Sequence, residues 1–219
     1  MKNAPTRFQA IINQVLTKSI GKFCYPYLDD VVIYSKNEED HVKHIKAVLD
    51  ALEKANMKLN RKKCEWFKSK LKLLGFTISS EGVESDPNKV TAIRNMPPPK
   101  DVSGIRSFLG STNYFRNLIQ NYATISAPLS KLTKKNQKFI WTNEQQDSFE
   151  ALKTALTNAP VLMYPDPNKE YNLYTDASDI ALGAVLMQKD DDGHERPIQF
   201  ISKKFASCQA RWPAVERSL

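Results

Sequence analysis

The stretch Tyr25–Ser35, YPYLDDVVIYS, sets two adjacent aspartates among residues that otherwise read as strand. Tyr25, Tyr27 and Leu28 precede Asp29 and Asp30, and Val31, Val32, Ile33 and Tyr34 follow, a β-branched and aromatic run that a sheet would bury. A carboxylate buried without a partner is costly to desolvate, so these two must reach water, bind a cation or cap a turn. Neighbouring strand residues point to opposite faces, so both acids serve one site only at the bend of a hairpin. Two carboxylates at such a tip, on a rigid apolar scaffold, are what a pair of Mg²⁺ ions needs for in-line phosphoryl transfer. The competing reading is an ordinary polar turn.

Outward from the hairpin, Pro5 suits a first helical turn, and Phe8, Ile11, Ile12 and Val15 recur at helical spacing, which predicts a helix from residue 5 to about 19 that Gly21 ends. After the hairpin, Ser35 is placed to cap a second helix with Val42, Ile45, Val48, Leu49 and Leu52 on one stripe. A short basic strand and a second hairpin should follow, turning near Ser69 to Lys72, with Gly75 at a bend or close approach. The prolines at 97–99 read as a stiff boundary between two packed units. Beyond them lie helices with Ile105, Phe108, Leu109, Phe115 and Leu118 inward, a helix opened by Pro128, and one capped by Thr142 with Phe149, Leu152 and Leu156 inward. From Tyr171 the period becomes two, predicting three antiparallel strands with a turn at KDDDGHE, then the start of a helix at ARWPAVERSL. The fold class is therefore α+β.

The chain has 219 residues, 41% of them hydrophobic, enough for ordinary cores. Its net charge of +8 favours polyanions such as nucleic acid. Lys54 to Lys72 hold eight Lys and Arg against Glu65 alone, a segment suited to phosphate. Cys24, Cys64 and Cys208 are odd in number and far apart, which indicates neither a disulfide framework nor a zinc cluster and makes a reducing compartment the default. The N-terminus lacks the apolar core of a signal peptide, and no run reaches the roughly 18 apolar residues of a membrane span, so a soluble, non-secreted protein without a membrane partner is expected. His41 and His44 are read as a surface helix face, and Trp141 and Trp212 as packing anchors.

YLDDVVIYSKNEEDHVKHI resembles the polymerase signature of reverse transcriptases, and the rest of the chain resembles the Pol polyprotein of gypsy-class long-terminal-repeat retrotransposons. MKNAPTRFQ is similar to that family's template-contacting helix start, LKLLGFTIS to its primer grip, GIRSFLGSTNYFRNLI to its thumb helix, and YTDAS to the first strand of its ribonuclease H domain. The resemblance implies a palm remainder without fingers over 1–78, a helical thumb over 79–135, a connection over 136–168 and the N-terminal part of a ribonuclease H-like α/β domain over 169–219. It implies Asp29 and Asp30 as metal-binding catalytic acids, with Tyr27 lining the site, and Asp176 and Glu216 as the first two ribonuclease H acids. Lys2, Asn3, Ala4 and Pro5 would contact template, and Gln9 would steady the helix beside the incoming nucleotide. Leu74, Gly75 and Phe76 would position the primer terminus, and Gly110, Asn113 and Tyr114 would track the minor groove. Mg²⁺, two ions per complete site with Mn²⁺ as a substitute, is the implied cofactor. RNA and DNA primer–template duplex and dNTPs are the implied partners, and the cytoplasmic virus-like particle of the parent element is the implied location.

Reverse transcriptases place a further metal-binding aspartate upstream of the helix that opens this sequence, and ribonucleases H place further aspartates beyond Glu216. The expectation is therefore a fragment of an RNA-directed DNA polymerase and ribonuclease H with both carboxylate sets incomplete and no turnover alone. The alternative is a catalytically inactive nucleic-acid-binding remnant or domesticated protein.

Overall fold

The computed structural model describes residues 4–206 together with Gln209 and Trp212. Lys2, Asn3, Glu216, Cys208 and most of the expected C-terminal helix lie outside the described residues. The chain divides into two compact units, Met1–Lys68 and Ser69–Leu219. No helix among the described residues is long and apolar enough to cross a membrane.

In the first unit, helix α1 (Ala4–Val15) leads into the antiparallel hairpin β1 (Cys24–Tyr27) and β2 (Asp30–Ile33), then helix α2 (Glu38–Lys54) and a 3-10 turn at Arg61–Lys63. Ile12 and Leu16, one helical turn apart, meet Cys24 of β1 and Val48 and Leu52 of α2 in a small core. That stripe is narrower than the sequence suggests. Phe8, Ile11 and Val42 are exposed, because α1 and α2 each bury only one edge of their apolar face. Helix α1 also stops at Val15, short of residue 19. The cap of α2 is Asn37, whose side chain accepts from the Asp40 amide. Ser35 is engaged elsewhere: its hydroxyl lies 3.1 Å from His41 Nδ1 and 2.7 Å from His44 Nδ1. His44 stacks on Phe23 at 3.9 Å, and His41 meets the ring of Phe67 edge-on. The two histidines thus tie α2 to the hairpin as well as lining its surface. The segment read as a basic strand is the 3-10 turn, with Asn60 capping it.

The second unit begins with the three-stranded antiparallel sheet β3 (Lys70–Leu73), β4 (Phe76–Ser79) and β5 (Gly82–Ser85). Its first turn is Leu74–Gly75, since residues 70–73 are strand and pair with 76–79. Both turn residues have positive φ, 50° and 77°, the geometry of a two-residue hairpin that follows the twist of its strands. Leucine is not a residue that announces such a turn.

Helices α3 (Pro87–Arg94), α4 (Val102–Asn113), α5 (Tyr122–Ile125), α6 (Ala127–Leu132) and α7 (Asn143–Thr157) then build one apolar core. Ile93 on α3 and Ile105 on α4 belong to the same cluster, so the prolines between them connect two helices of one body and do not separate two units. Phe108, Phe149, Leu152 and Leu156 are fully enclosed, as their helical spacing requires. Thr142 opens α7 through a capping box with Gln145. Trp141 packs against that core, whereas Trp212 is 44% exposed.

The last sheet is β6 (Asn172–Ala177), β7 (Ala181–Lys189) and β8 (Glu195–Lys204), antiparallel in sequence order. Leu162 and Met163 stitch the two sheets together, Leu162 by paired bonds to Val83 and Met163 by donation to the Pro197 carbonyl. Gly82 makes this possible. A Cβ there would lie 2.0 Å from the Leu162 oxygen.

Candidate nucleic-acid and metal sites

Tyr27 pairs with Asp30 across the hairpin, which leaves Leu28 and Asp29 as the turn. Asp29 and Asp30 are exposed at its tip, as two hydrophilic acids on an apolar hairpin should be. Leu28 has φ of +48°, a strained setting for a bulky residue. Gln9 on α1 holds it there. Its Oε1 accepts from the Leu28 amide at 2.6 Å, while its Nε2 donates to the Pro26 carbonyl at 3.2 Å and to Asn13 Oδ1 at 2.8 Å. An amide offers an acceptor oxygen and a donor nitrogen side by side, so it can accept from one backbone group and donate to the next. An open cleft of about 570 Å³ lies here, lined by Pro5, Gln9, Asn13, Tyr27 and Leu28. Gln9 therefore steadies the turn itself, and Asn13, one helical turn on, supports Gln9.

The exposed carboxylates of Asp29 and Asp30 supply oxygen donors of the kind a hard divalent cation takes, in an open position where water can complete the shell. Among the described residues no third acid, histidine or cysteine joins them. Asp190, Asp192 and His194 do approach one another within 4.8 Å, at the β7–β8 turn. There Asp190 Oδ1 accepts from the Asp192 and His194 amides, so their closeness is that of a turn closed on its first aspartate, as KDDDGHE suggests.

In the second unit the structure brings four further residues together. Tyr114, at the C-terminal end of α4, donates its hydroxyl to the Leu74 carbonyl and stacks on Phe76 at 5.5 Å. A Cβ on Gly75 would meet the Tyr114 ring at 3.4 Å. Gly110, Asn113 and Tyr114 are exposed at helical spacing along one face. Beside them, Phe76, Tyr114, Phe115, Leu162 and Tyr164 line a cleft of about 330 Å³.

Asp176 is exposed on β6, opposite Gly183 of β7. Gly183 itself lies under Asn121, a left-handed residue whose Oδ1 would be 2.3 Å from a Cβ at 183. Of the basic segment, Lys70 and Lys72 pair with Glu84 and Asp86 at 3.7 and 2.9 Å. Lys54, Lys58, Arg61, Lys62, Lys63 and Lys68 form no ion pair among the described residues. Cys24 is buried and free, and burial pushes its thiol up to about 11.

Sequence reasoning missed the supporting residues. Asn37 and Gln188 hold backbone groups, those of Gln188 distant in sequence, and Asn13 accepts from the Gln9 side chain one helical turn back. Gln188, fully buried, accepts from the Asp166 amide and donates to the Asp166 and Lys169 carbonyls, which fixes the loop before β6. Only Asn13, four residues after Gln9, carried a readable signal.

Residues 1–78 match the family model for reverse transcriptase (RNA-dependent DNA polymerase), and residues 141–219 match that for the ribonuclease H-like domain found in reverse transcriptase. The chain is 38% identical over 231 residues to the retrovirus-related Pol polyprotein from transposon gypsy of Drosophila melanogaster, covering all of this chain and 22% of that protein. It is 36% identical over 230 residues to the corresponding polyprotein from transposon opus of the same species, with coverage of 100% and 23%. It is 36% identical to the Tf2-3 transposon polyprotein of Schizosaccharomyces pombe, with coverage of 100% and 16%. The chain thus spans less than a quarter of the length of these relatives. Among solved structures, the foamy viral protease–reverse transcriptase dRH in complex with double-stranded DNA superposes with a TM-score of 0.85 at 24% identity, over 98% of this chain and 38% of that one. The same enzyme in complex with RNA/DNA hybrid gives 0.82 at 24%, over 98% and 29%. With the aspartate pair at a hairpin tip, the Leu74–Gly75 turn under α4 and the three-stranded sheet that holds Asp176, the chain belongs to the reverse transcriptase and ribonuclease H region of retrotransposon Pol polyproteins.

Proposed function

We propose that in the complete Pol enzyme this region serves RNA-templated DNA synthesis. It would contribute part of the palm (1–78), the thumb (79–135), the connection (136–168) and the opening of the ribonuclease H domain (169–219). The observation that supports this best is the tip of the first hairpin, where Gln9 fixes the backbone of Leu28 and leaves Asp29 and Asp30 facing water. Acids presented on a preorganised turn spend no binding energy on ordering themselves.

Asp29 and Asp30 would hold Mg²⁺, with Mn²⁺ as a substitute, and Asp176 with Glu216 would do the same in the ribonuclease H domain. The bound ion would neutralise charge developing on the transferred phosphate and make the attacking oxygen a better nucleophile. Lys2, Asn3 and Pro5 would lie against template, Tyr27 would line the metal site, and Gln9 would steady the helix beside the incoming dNTP. The Leu74–Gly75–Phe76 turn would set the primer terminus, with Gly75 allowing backbone to approach backbone. Gly110, Asn113 and Tyr114 face outward where a duplex minor groove would pass. The six cations without ion pairs between Lys54 and Lys68 would meet phosphates. The cytoplasmic particle of the parent element is the setting proposed for this chemistry.

The test is fluorescence anisotropy with an RNA/DNA hybrid bearing a recessed 3′ end. Affinity should fall at least about tenfold between 50 and 200 mM salt, and charge-removing substitutions at Arg61, Lys62 and Lys63 should flatten the slope. Affinity that is flat with salt would overturn the nucleic-acid reading.

A further inference from the structure

We infer that Tyr114 is a positioning residue: its hydroxyl locks the Leu74–Gly75 turn to the end of helix α4, so that grip and thumb helix behave as one body. Leu74 adopts φ of +50° and is 43% exposed, so neither its own conformation nor burial of its side chain accounts for the turn. A left-handed non-glycine residue persists only when its surroundings impose it. Three contacts do so from outside the hairpin. The Tyr114 hydroxyl donates to the Leu74 carbonyl at 2.5 Å. Its ring sits over Gly75, 3.4 Å from where a Cβ would be, which is van der Waals contact with the turn. The same ring stacks on Phe76, which also meets Phe115 edge-on at 5.4 Å. On the other side the Gly75 carbonyl accepts from the Asp86 amide, which anchors the turn to the start of α3.

Tyr114 is 54% exposed, so the ring is not in place merely to fill a core. Phenylalanine would stack on Phe76 equally well. The hydroxyl is the part that reaches the turn, and one hydroxyl hydrogen given to Leu74 is not available to a base edge. Tyr114 thus acts on nucleic acid through the turn, and toward the groove it keeps its ring face and the acceptor lone pair of its hydroxyl. This inference rests on the reading of Leu74–Phe76 as a primer-terminus site, and its structural half can be tested without nucleic acid.

The measurement is amide exchange on the full chain and on Tyr114→Phe. Loss of the hydroxyl should raise exchange at Phe76, which closes the turn, about fivefold, with Ile78 and Val83 unchanged. Tyr114→Leu, which also removes the stacking, should raise it further. In the functional half, the affinity ratio between a recessed 3′ end and a blunt duplex of equal length should fall about fivefold in Tyr114→Phe. Unchanged exchange at Phe76, or equal loss of affinity for both duplexes, would overturn the latch. A parent chain that binds both duplexes alike, with faster Phe76 exchange in the variant, would keep the latch and remove the primer-terminus reading.

Discussion

Gln9 is a half-buried amide with three hydrogen bonds, two of them to the backbone of the aspartate hairpin. Gln9→Leu keeps the helix and much of the volume but leaves the Leu28 amide and Pro26 carbonyl without side-chain partners. Exchange at the Leu28 amide should then rise about five- to tenfold, the equivalent of about one net hydrogen bond. Gln9→Glu should fall between, because a carboxylate still accepts from Leu28 but cannot donate to Pro26. Equal exchange in all three proteins would remove Gln9 from its role. Asp86 gives a different kind of test. The Lys72 ammonium, followed by the Asn88 amide, holds its carboxyl below the ordinary carboxylate range. A depressed folded-state value means the contribution is complete above the unfolded value near 3.9 and is lost as pH falls through the folded one. Asp86→Asn keeps a competent helix cap and loses the charge. Its melting temperature should lie below the parent's at pH 6, and the gap should close on acidification below about pH 4. A gap independent of pH would show that the pair with Lys72 contributes nothing.

Among the elements, those with strong local signals were legible in the sequence and those set by distant partners were not. Helix α7 could be read from Thr142 through Leu156 because cap and stripe agree. The aspartate hairpin was legible because a strand cannot bury two acids. The Leu74–Gly75 turn was misplaced by several residues because Leu74 has no intrinsic taste for a left-handed backbone, and Tyr114, forty residues away, supplies the reason. The prolines at 97–99 were read as a boundary because a helix must break there. A connection inside one core breaks a helix just as well. The β5–Leu162 pairing was equally invisible, and Gly82 is its signature. With φ of +132° and the Leu162 oxygen where a Cβ would sit, Gly82→Ala should cost about 2 kcal/mol or more in chemical denaturation. Gly193, with φ of +83° and open space around it, is the control, and alanine there should cost about 1 kcal/mol. Equal losses at the two positions would mean that backbone strain alone, and not close approach, fixes Gly82.

At the scale of the whole molecule, the two units differ in how well they can stand. The first has a core of five buried residues and leaves Tyr25, Tyr27, Tyr34, Trp66 and Phe67 exposed, a thin apolar interior for a unit of its size. Among the described residues, the second assembles fourteen buried ones from its helices, the segments joining them and the last sheet, with Phe76 of the first sheet packed against them. This contrast was not legible in composition, because the average over the chain is ordinary. The pairing of Val83 with Leu162 spans everything from α3 to α7, and that has a consequence in time. A nascent chain leaves the ribosome at about 5–20 residues per second, while a hairpin such as β4–β5 closes in about 1–10 microseconds. The edge of β5 is therefore complete and bare for seconds before Leu162 has been synthesised. During that interval the growing polypeptide offers a ready template for other strands, and shielding by a chaperone, or by helices that fold as they emerge, decides whether synthesis ends in a native sheet or in an aggregate.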